Sequence, residues 1–497
     1  MSATTYPQAV PEDATPETSS LSSRRGIAIL LLLCLVQFMD VLDASILNIA
    51  LPSIKNSLAF TQQSLQWVVS GYILTYGGFL LLGGRAADLL GRRRILVAGL
   101  IVFAASSLAG GLAHSAGLLV AARFAQGLGA AMLSPAALST LTTTFRSDHD
   151  RHRALGAWAA VSGLGGAAGV LFGGLLTEGP GWRWVLFVNV PFCAIAFVGA
   201  FVLLKPEDRR VAAMKNFDAL GGFLVTGGML LLVYALVKAP DVGWGATRTI
   251  GELAIAVVTL AAFVLNELRA TNPLVPMSIL RVKGVAVADA TQMLALAGFF
   301  AMFFFLTLYM QTVLHYSPIQ TGTAYLPLTG GIIIAAGISS ALFARIGTKP
   351  VIVTGSLIGA GGLYWLSRIP VHGSYVSNIL PGLLVAAFGV GGVFVGATTA
   401  ANAGVGEDKA GLAAGLLNTA QQLGAALGLA ILSALATART HSLLHGGRSS
   451  IVEAATHGYQ RALMAGAFFL LAASLVALLA RNTRETIPAP EPVPDAA

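Results

Sequence analysis

Charge and cysteine are both scarce in this 497-residue sequence, and each shortage excludes a class of protein. Only 10% of the residues are Asp, Glu, Lys or Arg, whereas soluble globular domains carry about 25%. The two cysteines, Cys34 and Cys193, both lie inside apolar segments, where cysteine usually packs as a small hydrophobic residue. The composition therefore excludes a soluble globular domain and a disulfide-stabilised scaffold.

Motifs for nucleotide hydrolysis and for metal coordination are missing as well. Neither GxxxxGKS nor GxxxxGKT occurs, so the chain has no phosphate-binding loop for ATP. The pairs His149/His152 and His441/His445 have the spacing of metal ligands, but we predict them in loops without cysteine or carboxylate company. We therefore predict no metal site, no bound cofactor and no enzymatic activity.

Apolar residues make up 56% of the sequence and raise its mean hydropathy to +0.77. They occur in blocks of roughly 18–28 residues, and about 20 helical residues cross the ~30 Å hydrocarbon layer of a bilayer. The predicted fold class is an all-α integral membrane protein with fourteen transmembrane helices. The predicted spans are 26–52, 66–84, 95–113, 116–144, 154–176, 185–204, 218–238, 249–266, 285–313, 321–344, 350–368, 377–400, 411–436 and 461–480.

The formal charge is +8 at pH 7, and a basic chain can bind nucleic acid. Here the basic residues are instead concentrated in short loops on one side of the hydrophobic blocks, as in 85–94 and 205–215. Cytoplasmic loops of membrane proteins carry this excess of positive charge. We predict a lipid bilayer rather than nucleic acid as the partner, with both termini in the cytoplasm.

Two faint internal repeats indicate a duplicated architecture. LGRRRILVAG (90–99) resembles IGTKPVIVTG (346–355), and the fifth and thirteenth predicted helices share glycines at one spacing: Gly156/Gly415, Gly165/Gly424 and Gly169/Gly428. In both repeats the matched helices lie eight positions apart in helix order, as the fifth and thirteenth do. Six-helix halves would give a separation of six, so the two central helices are interpreted as an insertion. The predicted organisation is a disordered cytoplasmic tail (1–25), a six-helix bundle (26–204), two inserted helices with cytoplasmic linkers (205–283), a second six-helix bundle (284–480) and a cytoplasmic tail (481–497).

Asp40 and Asp43 are the most informative polar residues, because a charge at membrane depth costs at least ~2.5–3.5 kcal/mol on insertion scales. They lie three residues apart on one helix face and belong to a polar stripe with Gln37 and Asn48. Two carboxylates so close in a low dielectric resist ionising together, which suits a group that takes up a proton. Arg123 is predicted at the depth of Asp43. We predict Asp40, Asp43 and Arg123 for proton coupling, with helix packing as the alternative.

Further polar residues inside predicted helices are candidates for lining a substrate cavity, with hydrogen bonding between helices as the alternative: Gln37, Asn48, Gln126, Asp289, Gln292 and Asn418. The fifth helix repeats small residues at GxxxG spacing through Gly165, Gly169 and Gly173, next to Gly174. Such faces let helices approach closely and slide, although static packing explains them nearly as well.

Four motifs follow one another along the chain: LDASILNIALP (42–52), GRAADLLGRRR (84–94), RFAQGLGAA (123–131) and GWRWVLFVNVP (181–191). With these motifs, the sequence from about residue 26 to 480 resembles the fourteen-helix drug:proton antiporters of the major facilitator superfamily, the multidrug and antibiotic efflux branch. The resemblance implies two six-helix bundles with two inserted helices. It also implies export of lipophilic or cationic small molecules in exchange for protons, driven by the proton motive force.

The resemblance assigns roles to individual residues. Arg123 falls on the family's arginine that is implicated in proton coupling, and Asp43 falls on the acidic residue of the first-helix motif. Asp40 is additional to that motif, so which aspartate titrates is open. The loop motif, which acts as a cytoplasmic latch in the family, falls on Gly84, Asp88, Gly91, Arg92 and Arg93. The family's fifth-helix antiporter motif reads GPxxGG, whereas residues 169–174 read GVLFGG. Val170 removes the kink that the proline would cause, which weakens the case for strict antiport.

The sequence leaves three functions open. The first is export of drugs or antibiotics across a bacterial cell membrane in exchange for protons, by alternating access. The second is dedicated export or import of one metabolite, such as an endogenous antibiotic, a siderophore or a nutrient. The third is a membrane sensor or scaffold, which the intramembrane charges disfavour because such a protein does not need them. Substrate identity and oligomeric state are not determined by the sequence.

Overall fold

The computed structural model describes residues 20–145, 147–205, 218–271, 273–275, 277–282, 284–402, 405, 410–445 and 450–482. Within these ranges every regular secondary-structure element is a helix and none is a β-strand, so the all-α prediction is confirmed. Most of the two predicted tails, at 1–19 and 483–497, lies outside the described residues. The same holds for most of the predicted linker before the inserted helices, at 206–217.

Fourteen long helices follow one another in the described ranges: α1 (Arg24–Ser57), α2 (Trp67–Leu90), α3 (Arg92–Gly111), α4 (Ala116–Thr144), α5 (Asp148–Glu178), α6 (Asn189–Leu203), α7 (Ala219–Val242), α8 (Thr247–Arg269), α9 (Val285–Leu308), α10 (Leu326–Ile346), α11 (Thr348–Leu366), α12 (Leu380–Asn402), α13 (Ala410–His445) and α14 (Ile451–Ala477). Shorter helical segments adjoin several of them: Gln62–Leu65, Trp184–Phe187, Ile279–Arg281, Tyr309–Val313, Pro318–Ala324 and Tyr375–Ile379.

Thirteen helical segments in the described ranges are long and apolar enough to cross a membrane, and α11 is the long helix that falls outside this group. It corresponds to the predicted span 350–368 and contains Lys349 and four glycines in 19 residues, which lower its mean hydropathy. α11 nevertheless packs extensively against α12 and α14. One face of α11 is buried in these contacts, whereas Leu357, Ile358, Tyr364 and Trp365 on the other face are 45–49% exposed.

The last two helices differ from their predicted bounds. α13 extends to His445 instead of ending near 436, and α14 begins at Ile451 instead of 461. His441 and His445 therefore lie on the last turns of α13, and His149 and His152 lie on the first turns of α5, rather than in loops. Hydropathy marks where a helix leaves the hydrocarbon, whereas capping residues fix where the helix itself begins or ends. Ser450, for example, is the N-cap at which α14 begins.

The helix contacts fall into two sets joined by a seam. In the first set, α1 packs on α5, and α4 packs on both α2 and α3; in the second, α9 packs on α13 and α14. The seam runs between α2 and α13, and between α5 and Pro318–Ala324. α7 contacts both α2 and α13, whereas the main neighbour of α8 is α7. The inserted pair therefore lies along one edge of the seam.

Close backbone approach between α9 and α13 requires glycine on α13. A Cβ added at Gly428 would overlap the backbone of Ala297, and one at Gly424 would overlap that of Met293. Without a hydrophobic force to drive helices together in lipid, such contacts supply much of their association.

We expect Gly428→Ala to destabilise the protein by about 1–3 kcal/mol, because the new methyl group must displace the α9 backbone. Gly361→Ala on α11 is the matched control, since a Cβ there meets nothing within 4 Å. Thermal unfolding of both variants in the same detergent checks this expectation. Equal unfolding temperatures for the two would contradict it.

Candidate functional site

A buried ion pair joins α1 to α4. The Nη1 atom of Arg123 lies 2.8 Å from Oδ2 of Asp43, and the two side chains are 2% and 0% exposed. The depth match predicted for these residues from their distance to the helix ends is therefore realised as a direct contact. A pair this deep is stable only when its remaining donors and acceptors are satisfied.

The second oxygen of Asp43 meets that requirement with two amide donors. Gln126 Nε2 donates to Oδ1 at 2.8 Å, and Asn189 Nδ2 donates to the same atom at 2.7 Å. Both amides also donate to Ser107 Oγ, at 3.1 and 3.0 Å. The carboxylate thus connects α1 with α3, α4 and α6, and Gln126 belongs to this network.

The guanidinium of Arg123 is held by α2 as well. Its Nε donates to the Val68 carbonyl at 3.0 Å, and Nη1 donates to Gln126 Oε1 at 2.7 Å. Its central carbon lies 4.3 Å from the centre of the Tyr72 ring, a cation–π distance. The Asp43–Arg123 pair is thus electrically neutral and hydrogen-bonded to neighbouring helices through both of its members.

Asp40 occupies a different environment, although it lies one helical turn away. It is 5% exposed; Oδ1 accepts from Tyr72 Oη at 2.9 Å, and Oδ2 accepts from Tyr76 Oη at 2.8 Å. Within the described part of the chain no ion pair reaches Asp40. There, Asp40 is a buried carboxyl with two phenolic donors and no cation, and Tyr72 touches both it and Arg123.

The other predicted cavity residues on α1 lie apart from this network. Gln37 donates to Ser162 Oγ of α5 at 2.8 Å, and Asn48 donates to the Ala44 carbonyl of its own helix at 3.1 Å. Asn418 of α13 lies beside Tyr76 and so reaches the Asp40 side of the site from across the seam.

Asp289 and Gln292 of α9 are buried at 7% and 0% exposure. Among the described residues, neither carboxylate oxygen of Asp289 and neither amide atom of Gln292 has a hydrogen-bond partner. Both residues are separate from the Asp40 and Asp43 network. Phe300, the α9 residue that lines a cavity beside that network, lies 11 positions beyond Asp289, about 16 Å at 1.5 Å per residue.

That cavity is small, about 30 Å³, and lies where the network meets the seam. Tyr72 and Arg123 line it from one set of helices, and Phe300 and Gln422 line it from the other. Pockets for drug-sized ligands measure roughly 300–1,000 Å³. The site is therefore closed around the charged network in this conformation.

The loop motif forms the tight connection from α2 to α3. Gly91, with φ +100°, is the residue at which α2 ends and α3 begins, and Gly84 packs near Pro135 of α4. Arg92 lies 3.8 Å from Asp88 and donates to Thr143 Oγ1 at 3.0 Å. Arg93 donates to the carbonyl of Phe201 at 3.3 Å.

The glycines of α5 pack on two different partners. Gly165, Gly169 and Gly173 face α1, where an added Cβ would lie 2.5–3.0 Å from Phe38 O, Ser45 Cβ and Ile46 O respectively. Gly174 instead faces Ile319, at 2.6 Å from its Cα. Val170, which replaces the motif proline, is buried and its carbonyl meets Gly322. The helix therefore packs on both sides of the seam.

Four residues of the network were not predicted for it: Ser107, Tyr72, Tyr76 and Asn189. The signal available for the tyrosines is their i, i+4 spacing on α2, which places both hydroxyls on one face. The signal available for Asn189 is a lone amide among the apolar residues of the GWRWVLFVNVP segment.

We expect Asp43→Asn and Arg123→Gln each to destabilise the protein by about 3–5 kcal/mol, because each leaves one buried charge unpaired. The double variant should recover part of that loss, since it removes both charges. Thermal unfolding of the two single variants and the double variant measures the coupling. Strictly additive losses would contradict a direct interaction.

Comparison with known proteins identifies the family. The model of the Major Facilitator Superfamily matches residues 33–429. The puromycin resistance protein pur8 of Streptomyces alboniger is 39% identical over 465 residues, which covers 92% of this chain and 91% of that protein. The cephamycin export protein CmcT of Amycolatopsis lactamdurans is 39% identical over 481 residues, covering 95% and 96%.

Solved structures agree in fold. A bacterial homologue of the human lysosomal transporter Spinster, in an inward-facing and unoccupied conformation, has a TM-score of 0.64 at 16% identity, covering 92% of this chain and 97% of that one. The POT family transporter PepTSo has a TM-score of 0.64 at 15% identity, covering 91% and 97%. The resemblance drawn from the four motifs is thus confirmed: the chain belongs to the Major Facilitator Superfamily of membrane transporters.

Proposed function

We propose that this protein exports drugs or antibiotics from a bacterial cytoplasm in exchange for protons, by alternating access between two helix bundles (26–204 and 284–480). The observation that carries the proposal is Asp40, a buried carboxyl that has no cation among the described residues and lies beside a fully paired Asp43–Arg123 bridge. The relatives support the export of antibiotics, since their names include puromycin resistance and cephamycin export. The proton motive force supplies the energy, and no cofactor is required.

Asp40 is the proposed proton carrier, and Asp43 with Arg123 is its fixed counterpart. The Asp43 carboxylate accepts hydrogen bonds from Arg123, Gln126 and Asn189, so its charge is offset within the network. Asp40 has only two neutral donors, so a proton there removes an uncompensated buried charge. The site then changes its net charge from −1 to 0.

Protonation of Asp40 would act on α2 through the two tyrosines. A neutral carboxyl accepts weaker hydrogen bonds than a carboxylate, so the contact from Asp40 to Tyr72 and Tyr76 loosens. Tyr72 lines the seam cavity, and Tyr76 lies beside Asn418 of the opposite set. A charge change at Asp40 thereby reaches residues at which the two bundles touch.

Alternating access requires the seam to open at one end while it is closed at the other. Gln311 Nε2 donates to the Ile49 carbonyl at 2.9 Å, and the Ile319 amide donates to Glu178 Oε2 at 3.1 Å. These contacts join the bundles at the end where α1 and α5 terminate. We propose that they break in the opposite conformation, while the loop motif at Asp88 and Arg92 acts as the latch at the other end.

The proposed substrates are lipophilic or cationic small molecules. Carboxyl groups favour a cationic ligand, and the aromatic face of Phe300 at the seam suits an apolar one. Asp289, Gln292 and Asn418 are retained as proposed contacts in an opened cavity. A dedicated exporter of one antibiotic is the second candidate, favoured by the relative that is named as a cephamycin exporter.

The proposed location is the bacterial cell membrane, with both termini in the cytoplasm. The thirteen membrane-capable segments of the described ranges support a multi-pass protein, and the excess of basic loops supports the orientation.

We expect Asp40→Asn to abolish substrate accumulation driven by an imposed proton motive force in proteoliposomes, because the variant has no group to carry the proton. A driving force of 100 mV corresponds to about a 50-fold gradient for each charge moved, which sets the size of the loss. Fluorescent cations and puromycin serve as probes, with an uncoupler added to define the driven fraction.

Asp241→Asn is the matched control, since that aspartate is exposed at the end of α7. It should retain the accumulation of the wild type. If Asp40→Asn still concentrates substrate as the wild type does, Asp40 is not the carrier. If the wild type concentrates none of the probes, the single-substrate candidate gains support.

A further inference from the structure

A groove of about 500 Å³ lies between the beginning of α3 and the end of α6, remote from the Asp40 and Asp43 site. Val97, Ala98, Ile101 and Phe201 form its apolar walls. Arg93 and Arg94 stand at one end, on the first turn of α3. The groove thus combines a basic end with apolar walls. Gly91 and Arg93 also belong to the loop motif, whereas Arg94 and the apolar walls have no part in the proposed transport cycle.

The apolar part of the groove faces the bilayer. Ile101 is 53% exposed and Phe201 is 51% exposed, and Val198 beside it on α6 is 60% exposed. Both helices are among the segments able to cross a membrane. Exposed branched and aromatic side chains on such helices contact lipid chains, so the neighbour of these walls is hydrocarbon rather than water.

The basic end is held in position by α6. Arg93 Nη2 donates to the Phe201 carbonyl at 3.3 Å, and its guanidinium carbon lies 4.8 Å from the centre of the Phe201 ring. Arg25 Nη2 donates to the Leu203 carbonyl at 3.1 Å, which adds a second guanidinium at the end of α6. The nearby carboxylate of Asp88 lies against Arg92, outside the groove.

We propose that this groove binds an anionic phospholipid, with the headgroup phosphate at Arg93 and Arg94 and an acyl chain along Ile101 and Phe201. Guanidinium groups bind phosphate oxygens through paired hydrogen bonds, and basic pockets between membrane helices select anionic headgroups. A soluble anion would leave the apolar walls unused, and a zwitterionic lipid would gain less from the arginines. The site belongs to the leaflet that faces the beginning of α3.

The positive charge of the groove favours an anionic lipid over a second copy of the protein as its occupant. The cationic end of the groove repels the same cationic end on a second copy of the chain. Its volume lies within the roughly 300–1,000 Å³ range of small-molecule sites, enough for a headgroup and the first part of a chain. The proposal does not depend on the transported substrate or on proton coupling.

The test is native mass spectrometry of the detergent-purified full chain, equilibrated with equal amounts of phosphatidylglycerol and phosphatidylcholine. The wild type should retain phosphatidylglycerol preferentially. Each arginine near a lipid headgroup contributes roughly 1 kcal/mol, so Arg94→Gln should weaken retention about fivefold and Arg93→Gln/Arg94→Gln about 25-fold. Arg153→Gln is the matched control, an exposed arginine on α5 outside the groove.

Two further measurements distinguish the binding of a whole lipid from the binding of a phosphate group alone. Phe201→Ala keeps both arginines and should still weaken phosphatidylglycerol retention, because the chain loses its wall. Its unfolding temperature verifies that the variant is folded. Glycerol 3-phosphate, which has the headgroup phosphate without acyl chains, should displace the lipid poorly.

Three outcomes would overturn the assignment. The first is equal retention of the two lipids by the wild type. The second is undiminished phosphatidylglycerol retention by the double arginine variant, which would place the lipid elsewhere. The third is efficient displacement by glycerol 3-phosphate, which would make the site one for a soluble phosphate. None of these results bears on transport, so failure here leaves the proposed function standing.

Discussion

The ion pair of Asp43 and Arg123 is the interaction that joins α1, α2, α3, α4 and α6 into one hydrogen-bonded network. Removing both charges from water costs several kcal/mol per ion, and the cost is offset only when every other donor and acceptor is satisfied. Here Gln126, Asn189 and the Val68 carbonyl supply the partners, from α4, α6 and α2. One charged pair thereby sets the positions of several helices relative to α1, in a solvent where hydrophobicity cannot do so.

Asp40 differs from Asp43 in the partners of its carboxyl group. Both aspartates are buried on the same helix, but Asp43 has a cation and amide donors whereas Asp40 has two phenols. Tyr72 joins the two environments, since its hydroxyl donates to Asp40 while its ring lies against Arg123. Tyr72 also lines the cavity at the seam, so the same side chain contacts Asp40 and lies where the two sets of helices meet.

The membrane class and the number of helices were predictable because both depend on local composition. A block of apolar residues of bilayer length forms a helix whatever its neighbours are, since lipid offers no partner for free backbone groups. The limits of that reasoning appear at the helix ends, since α13 extends to His445 beyond its apolar block and α14 begins at Ile451, before its predicted start. Helix ends depend on caps that hydropathy does not record.

By itself the sequence determined the solvent, the helices, the family motifs, and that Asp40, Asp43 and Arg123 are charges too costly to lie in lipid. The sequence placed Arg123 at the depth of Asp43, but only the tertiary structure showed that the two side chains form a direct ion pair and that Asp40 has no cation among the described residues. The tertiary structure also brought Tyr76 to Asp40 and left Asp289 without a hydrogen-bond partner in the described part of the chain. The physical reason is that the free-energy cost of a charged side chain in the membrane follows from its own position within an apolar block. The partner that offsets this cost comes from another helix, whose rotation and depth are set by packing.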